Sequence, residues 1–246
     1  MPGPPAAARE CTQARLTYML GCIDMTLAEL SLGCYIYATM TSFDGGYLEF
    51  LNETVPALDL TQQSHRKSLL NFLNRWMCRI KEDDFDVAAA QLADWYQIIK
   101  GKLFPTTTGL LALTDSDLDM VEEAFEDLAA RPCCTGKTFA SVPTAKVLFA
   151  LRPNALIPWD NAMFKHFQLK GSAASYRQHL LWAKERLKYL SGECTKRGFA
   201  LDDLPIKIER PRSTLPKLID EYLWVTVTNK FQPKELIERW EKWSSP

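Results

Sequence analysis

The chain has 246 residues, of which 47% are hydrophobic and 24% charged, and its formal net charge is −1. This length suffices for one large domain or two small ones, and the composition is that of a globular protein with a sizeable core. The near-zero net charge excludes bulk electrostatics as a reason to expect a polyanionic partner.

Charge is nevertheless unevenly distributed along the chain. Residues 82–127 contain twelve Asp/Glu against two lysines, whereas residues 131–217 contain sixteen Lys/Arg against six Asp/Glu. Such asymmetry indicates either a surface for a polyanion or two solvated regions that differ in sign. The sequence leaves both interpretations open.

The cysteine pattern bears on metals and compartment. Seven cysteines occur, none of them spaced as Cys-x-x-Cys, and Cys133 and Cys134 are adjacent. These spacings favour neither a disulfide framework nor a zinc site, and none of the three histidines lies near a cysteine. Free thiols in a reducing cytoplasm are the simplest interpretation. We therefore expect a cytoplasmic protein with no metal and no cofactor.

The N-terminal region predicts a tail followed by a buried helix. Residues 1–15 are rich in Pro and Ala and predict a disordered tail. Residues 16–40 are apolar enough to raise the alternative of a membrane-associated protein, but Asp24 and Glu29 lie in the middle of this segment. A carboxylate in hydrocarbon is costly, so a long, mostly buried helix is favoured over a membrane span.

Helical periodicity dominates the next hundred residues. Apolar stripes at three- and four-residue steps run from Leu69 to Ile80 and from Ala88 to Ile99. Thr114 with Asp117 predicts a capping box at the start of a further helix, and Pro132 lies just past that helix's end. Strand-like alternation is scarce.

The C-terminal half continues the pattern. Ser141 and Ser172 are predicted N-caps, Gly198 a helix stop and Pro233 the start of the last helix. A helix is also predicted from about Leu215 to Val225, with residues 225–228 as an alternative short strand. We predict an all-α, compact fold of about ten helices over residues 16–246, with lobes 16–130 and 131–246 as an alternative description.

One apparent phosphate-binding motif fails on context. Gly136-Lys137-Thr138 looks like the end of a phosphate-binding loop, but the motif needs a glycine where Arg131 stands. It also needs a preceding strand, whereas a helix precedes it here. We therefore exclude a nucleotide site at this position.

The most informative segment is 137–164. It predicts a short apolar helix, a turn, and a second helix opened by Pro158-Trp159-Asp160. Asp160 thus lies at or near a helix N-terminus between two apolar runs. It can be a helix cap, which stabilises the protein by about 1 kcal/mol, or a chemical reagent.

This segment resembles the helix-hairpin-helix DNA glycosylase superfamily. In that family an apolar helix after a hairpin leads to a Pro-x-Asp, which supplies the catalytic carboxylate. Residues 150–153 (Ala-Leu-Arg-Pro) followed by 157–160 (Ile-Pro-Trp-Asp) match the end of this pattern. The similarity is greatest to the 8-oxoguanine-glycosylase-like branch, which includes many uncharacterised bacterial proteins.

The resemblance implies a DNA-repair hydrolase that cleaves an N-glycosidic bond. Asp160 would stabilise the positive charge that develops on the sugar and would orient or deprotonate the attacking water. The base must first leave the duplex stack and enter a pocket. Trp159 would stack on that base, with a core position as the alternative.

Two departures from the family pattern narrow the implied chemistry. The hairpin equivalent has no glycine after Gly136, and Ser141 stands where bifunctional members carry a lysine nucleophile. Lys137 and Lys146 are several residues away from that position. We therefore expect a monofunctional enzyme that uses water rather than a Schiff-base lyase.

DNA contacts are predicted at basic residues after the acidic region. Ser141 and the nearby cations would contact phosphates, as would Arg210 and Arg212 in a loop; for the helical cations the alternative is a solvated face. The predicted contacts on the first segment and the long helix are Lys137, Ser141, Lys146, Arg177, Lys184 and Lys188.

A second hypothesis is non-catalytic. A helical module of the same fold would bind a protein or nucleic acid, for example in a bacterial accessory or defence system. It predicts that the Asp160 carboxylate is occupied in capping or ion pairing, without an open pocket. The geometry around Asp160 should therefore discriminate between the two hypotheses.

Overall fold

The structure, a computed structural model, describes residues 25–244, and side chains as far as residue 238. Within these residues the protein is all-α, with eleven α-helices and one two-stranded antiparallel hairpin. The helices are α1 Leu27–Met40, α2 Phe43–Glu53, α3 Gln63–Arg75, α4 Phe85–Ile99, α5 Asp115–Ala130, α6 Ser141–Leu151, α7 Asn161–His166, α8 Ala173–Lys196, α9 Leu204–Lys207, α10 Leu215–Leu223 and α11 Pro233–Ser244. The strands are β1 Pro132–Cys134 and β2 Lys137–Thr138. The predicted tail, 1–15, lies outside the described residues.

Helix α1 is the described part of the predicted 16–40 helix. Its N-terminus is fixed by a capping box that the sequence analysis missed: the backbone N–H of Thr26 donates to Glu29 Oε2 at 2.8 Å, and Glu29 N–H donates to Thr26 Oγ1 at 3.2 Å. Glu29 is therefore a cap partner with a satisfied carboxylate. No helix among residues 25–244 is long and apolar enough to cross a membrane.

The apolar stripe from Leu69 to Ile80 is helical only as far as Arg75. The chain then turns through Met77 and Arg79, whose φ angles are +66° and +57°. Asn74 holds this turn, because its side chain bonds to both the N–H and the C=O of Ile80, at 2.7 and 2.6 Å. Ile80 thus reaches the core from a loop, and the prediction of continuous helix there was wrong.

Several predicted helix signals are confirmed. Thr114 and Asp117 form a capping box, Ser172 accepts a hydrogen bond from Ser175 N–H, and Pro233 opens α11. Gly198, with φ +79°, follows the end of α8 and turns the chain away. Caps are local in sequence, which is why they can be predicted from it.

The predicted N-cap of α6 was wrong, whereas the helix predicted from Leu215 is confirmed and its alternative, a short strand, is not observed. Ser141 is the first residue of α6 rather than its cap; the cap position is Ala140, which bonds through no side chain and has φ +52° and ψ −168°. Residues Trp224–Thr228 form a π-helical turn that prolongs α10, not a strand. The β-branched residues there suggested a strand, but the helical contacts on either side decide the conformation.

Among the described residues, one large hydrophobic cluster joins buried side chains from Met25 to Leu223, and a small second cluster contains Ile36, Tyr37 and Val225. Helix α6 lies at its centre, buried from Thr144 to Leu151, with α3 and α5 packed against it. Helix α1 packs on α10 and α11, so the first and last described elements meet. A Cβ on Gly33 would lie 2.8 Å from Tyr222 Cδ2, which shows how closely α1 approaches α10. This approach builds one wall of the site described next.

Candidate active site

The segment between α6 and α7 places Asp160 by hydrogen bonds on both sides. Arg152 ends α6 and donates to the carbonyl oxygens of Phe104 and Leu151, at 2.6 and 2.8 Å. The Tyr176 hydroxyl donates to Ile157 O at 2.8 Å. These contacts fix an extended, buried connection whose last residue is Asp160.

Asp160 is the N-cap of α7. Its Oδ1 accepts hydrogen bonds from the N–H groups of Ala162 and Met163, at 2.8 and 2.9 Å. Its Oδ2 accepts one from the Thr228 hydroxyl at 2.7 Å. Thr228 comes from the π-helical turn, a feature that often marks functional sites. The carboxylate is therefore held rigidly by two separate elements.

Asp160 also faces a cavity of about 220 Å³. This is smaller than the roughly 300–1,000 Å³ of pockets for drug-sized ligands, so its size suits a single small ring system. The walls are mostly apolar and aromatic, and its lining includes Tyr37, Phe43, Trp76, Met77, Met163 and Trp224. The capping and reagent interpretations are thus compatible in geometry: the same carboxylate caps a helix and borders a cavity.

A second carboxyl group and one ammonium group border the same cavity. Asp220, on α10, is largely buried, and burial, with a smaller contribution from Asp160, raises the pKa of its carboxyl to about 7. Lys146, near the middle of α6, is also buried and donates to the carbonyl of Trp76. The sequence analysis placed Lys146 on a phosphate, whereas the structure places it in the cavity wall.

A buried ionic network lies behind this wall. Lys217 Nζ lies 3.1 Å from Glu221 Oε1 and 4.2 Å from the centre of the Tyr37 ring. Arg210 bridges Glu221 and Asp44. Burial lowers the pKa of Lys217, but Glu221, Tyr37, Asp220 and Asp44 together outweigh it, so the pKa is raised and the ammonium stays charged. Arg210, a predicted phosphate contact, is therefore occupied inside the protein.

Ser141 lies outside the cavity lining, whereas Trp159 borders the cavity with a largely buried ring. Trp159 touches the cavity lining, but its ring is buried among Phe125, Phe164 and Tyr176, and its Nε1 donates to Ser141 O at 3.2 Å. The Trp159 ring is thus part of the core, the alternative that the sequence left open, and it also borders the cavity. Ser141 Oγ is buried and without a partner among the described residues.

The predicted basic face of α8 packs against the acidic region. Arg177 pairs with Asp115, Asp119 and Glu122 of α5. Lys184 donates to Leu113 O just before α5. The opposite charges of the two regions thus meet at this helix pair, in ion pairs that are partly exposed to solvent. This contact explains part of the charge asymmetry without a polyanion.

Lys188 and Lys137 differ from these residues in exposure. Lys188 pairs with Glu185 at 2.6 Å on the outside of α8. Lys137 is exposed on β2 and shares a cleft with Arg79, Lys81, Asp83 and Asp84. Since the 76–81 turn also carries Trp76 to the cavity, this cleft of mixed charge lies on the segment that borders the candidate site.

Sequence reasoning missed two of the groups that define the cavity. Asp220 carried no motif, and Thr228 lay in a segment with an uncertain secondary structure. The one available signal was the charged triad Lys217, Asp220 and Glu221 within an otherwise apolar helix. Such charges in an apolar segment are buried only when they are paired or functional.

Comparison with known proteins adds no identification. No protein-family model matches the chain, and neither a curated protein nor a solved structure matches it. Within residues 25–244, no group of three or more His, Cys, Asp or Glu side chains is arranged to hold a metal ion. Function must therefore be inferred from the cavity and its side chains.

Proposed function

We propose that the protein is a helix-hairpin-helix glycosylase-like enzyme that hydrolyses an N-glycosidic bond of a base in DNA. The observation that carries the proposal is the position of the Asp160 carboxylate, which is fixed by three hydrogen bonds and borders an aromatic cavity. A flipped base would enter between the aromatic walls, and its sugar would lie against Asp160.

The chemistry follows from a fixed negative charge beside a developing positive one. Cleavage of the bond between base and sugar generates an oxocarbenium-like sugar, which a preorganised carboxylate stabilises. Asp160 would also orient the water that attacks the sugar. Because its hydrogen bonds are already made, the carboxylate need not reorganise during the reaction.

Monofunctional chemistry fits the position of the nearby residues. Ser141, where bifunctional members of the family carry a lysine, lies outside the cavity lining. Lys146 lies within it, but its ammonium donates to the Trp76 carbonyl. A Schiff base would require this lysine to lose both its proton and that hydrogen bond.

The DNA backbone would follow the exposed cations of the 76–81 turn and the hairpin. Arg79, Lys81 and Lys137 line one cleft together with Asp83 and Asp84, which leaves one cation in excess, and the same turn places Met77 at the cavity. Phosphate contacts position a duplex without reading its sequence. This short track replaces the long one predicted along α8.

A non-catalytic binding module is the second candidate. It is favoured by the fact that both oxygens of Asp160 already accept hydrogen bonds within the protein. A structural cap alone would have the same geometry. This candidate predicts salt-dependent DNA affinity without release of a base.

The test is base release by the wild-type protein. Duplexes that each carry one damaged base would be incubated with excess enzyme, and free base would be measured by chromatography with mass detection. We expect a free base and an alkali-labile abasic site in an intact strand. DNA binding without release from any duplex would support the binding module instead. Asp202→Asn, which removes an exposed carboxylate outside the cavity lining, is the control variant and should release base as the wild type does.

A further inference from the structure

Asp220 is the second carboxyl group of the cavity, and it lacks a hydrogen-bond donor among the described residues. Its nearest cation is Lys217, with Nζ 3.7 Å from Oδ2 on the same helix. Only 11% of its side chain is exposed, and it borders the same cavity as Asp160. Both oxygens of Asp160 accept hydrogen bonds within the protein, whereas Asp220 keeps its bonding capacity for an occupant of the cavity.

The charges around Asp220 already balance without it. The cations are Lys146 from α6, Arg210 from the loop before α10, and Lys217 from α10 itself. The anions are Asp44 from α2, Glu221 from α10, and Asp160 before α7; the phenol of Tyr37 faces the cluster from α1.

A fourth carboxylate in this cluster would have no matching cation. Burial raises the pKa of Asp220 to about 7, Asp160 and Glu221 act in the same direction, and Lys217 and Lys146 oppose it. A substantial fraction of the group therefore carries a proton at neutral pH. A carboxyl group of this kind can donate a hydrogen bond or a proton.

We propose that Asp220 is the general acid of this site and protonates a ring nitrogen of the departing base. This inference rests on the proposed glycosidic hydrolysis. It extends that proposal by dividing the work between two carboxyl groups, one that stays charged beside the sugar and one that supplies a proton to the base.

The step balances with water as the only co-reactant. The bond between the sugar carbon and the base nitrogen breaks, and its electron pair stays with the base. The Asp220 proton moves to the base, while the water oxygen bonds to the sugar carbon. The proton lost by that water passes to solvent, and Asp220 regains a proton from solvent. The products are the free base and the sugar hydroxyl.

The test compares leaving groups that do and do not need a proton. One substrate carries a neutral base that the wild type releases, and the other carries the same base with an N-methyl group that makes it permanently cationic. For the neutral base we expect kcat to fall about tenfold per pH unit above about pH 7. For the cationic base we expect no such decline.

The variant arm uses Asp220→Asn with Asp202→Asn as control. Asp220→Asn should lower kcat on the neutral base by about 10²–10⁴-fold, with KM little changed, and should leave the cationic base nearly unaffected. Equal losses on both bases would assign Asp220 a purely structural role and overturn the inference. If Asp220→Asn does not fold, the two pH profiles of the wild type decide, and identical profiles overturn it.

Failure of the inference differs from failure of the proposed function. If the wild type releases neither base, glycosidic hydrolysis itself is wrong and Asp220 has no such role. If the wild type releases both bases with the same pH profile and Asp220→Asn keeps full activity, hydrolysis stands and only the general acid is wrong.

Discussion

The cavity beside Asp160 and the basic face of α8 both carried predicted functional residues, yet the protein uses their charges differently. On α8, Arg177 donates hydrogen bonds to acidic side chains of the same protein, and Lys184 donates one to a backbone carbonyl. At the cavity, the carboxyl group of Asp220 borders open space and has no hydrogen-bond donor among the described residues. Charge alone is therefore a poor indicator of a functional site. A polar group that borders a cavity and lacks a hydrogen-bond partner is a better one.

The largest expected effect concerns the network that supports the cavity wall. Lys217→Met should lower the free energy of unfolding by about 3–5 kcal/mol, because it leaves Glu221 buried with one counter-ion fewer. Urea denaturation measures this change in the free energy of unfolding. Lys188→Ala is the matched control: this lysine is exposed, and its loss should change stability by less than about 0.5 kcal/mol. Equal effects of the two substitutions would contradict a difference between the regions.

The pH dependence of stability tests the environment of Asp220 at the cavity. The folded pKa of Asp220, about 7, lies above its ordinary value of 3.8. Between these pH values the folded state binds more protons than the unfolded state, so stability should fall as pH rises from about 4 to 7. The loss should be on the order of a few kcal/mol and should be absent in Asp220→Asn. Chemical denaturation across this range measures it, and parallel curves for the two proteins would refute a raised pKa.

DNA affinity provides the corresponding test of the α8 side. Arg177→Ala should lower stability by about 1 kcal/mol, since its acidic partners are partly solvated, and should leave DNA affinity unchanged. Arg79→Ala should instead weaken DNA binding and reduce the salt slope by about 1. Titration of a labelled duplex at several salt concentrations measures both. A loss of affinity in Arg177→Ala would restore the polyanion surface on α8.

The smallest expected effect lies at the start of α6. Ala140 has a positive φ that an L side chain adopts only with strain, so Ala140→Gly should raise stability by about 0.5–1 kcal/mol. Ala90, exposed within α4, provides the matched control, because the same substitution there should lower stability by about 0.5–1 kcal/mol. Thermal unfolding of both variants checks whether the two changes have opposite signs.

Local features could be predicted from the sequence. The caps at Thr114 and Ser172 and the helix stop at Gly198 depend on residues within one turn of each other. They can therefore be predicted without knowledge of the tertiary structure. The all-α class followed from the same periodicity. The helix end at Arg75 was missed because the apolar spacing continues into a turn. Two hydrogen bonds between the Asn74 side chain and the backbone of Ile80 stabilise this turn.

The site itself could be predicted only in part. Asp160 stood out because a carboxylate lay between apolar runs at a predicted helix start. Asp220 and Thr228 reach it from segments sixty and more residues later, through packing of α10 that no local pattern specifies. Arg177 looked available for the same reason: its acidic partners lie on α5, far away in sequence.

The most direct test of the central claim is the base-release rate of Asp160→Asn, measured together with its melting temperature. Asparagine caps a helix about as well as aspartate, so the fold should survive with a melting temperature within about 2 °C of the wild type. The negative charge beside the sugar is lost, so kcat should fall by about 10²–10³-fold. Base release at the wild-type rate by the folded variant would contradict a catalytic role and leave Asp160 as a helix cap alone.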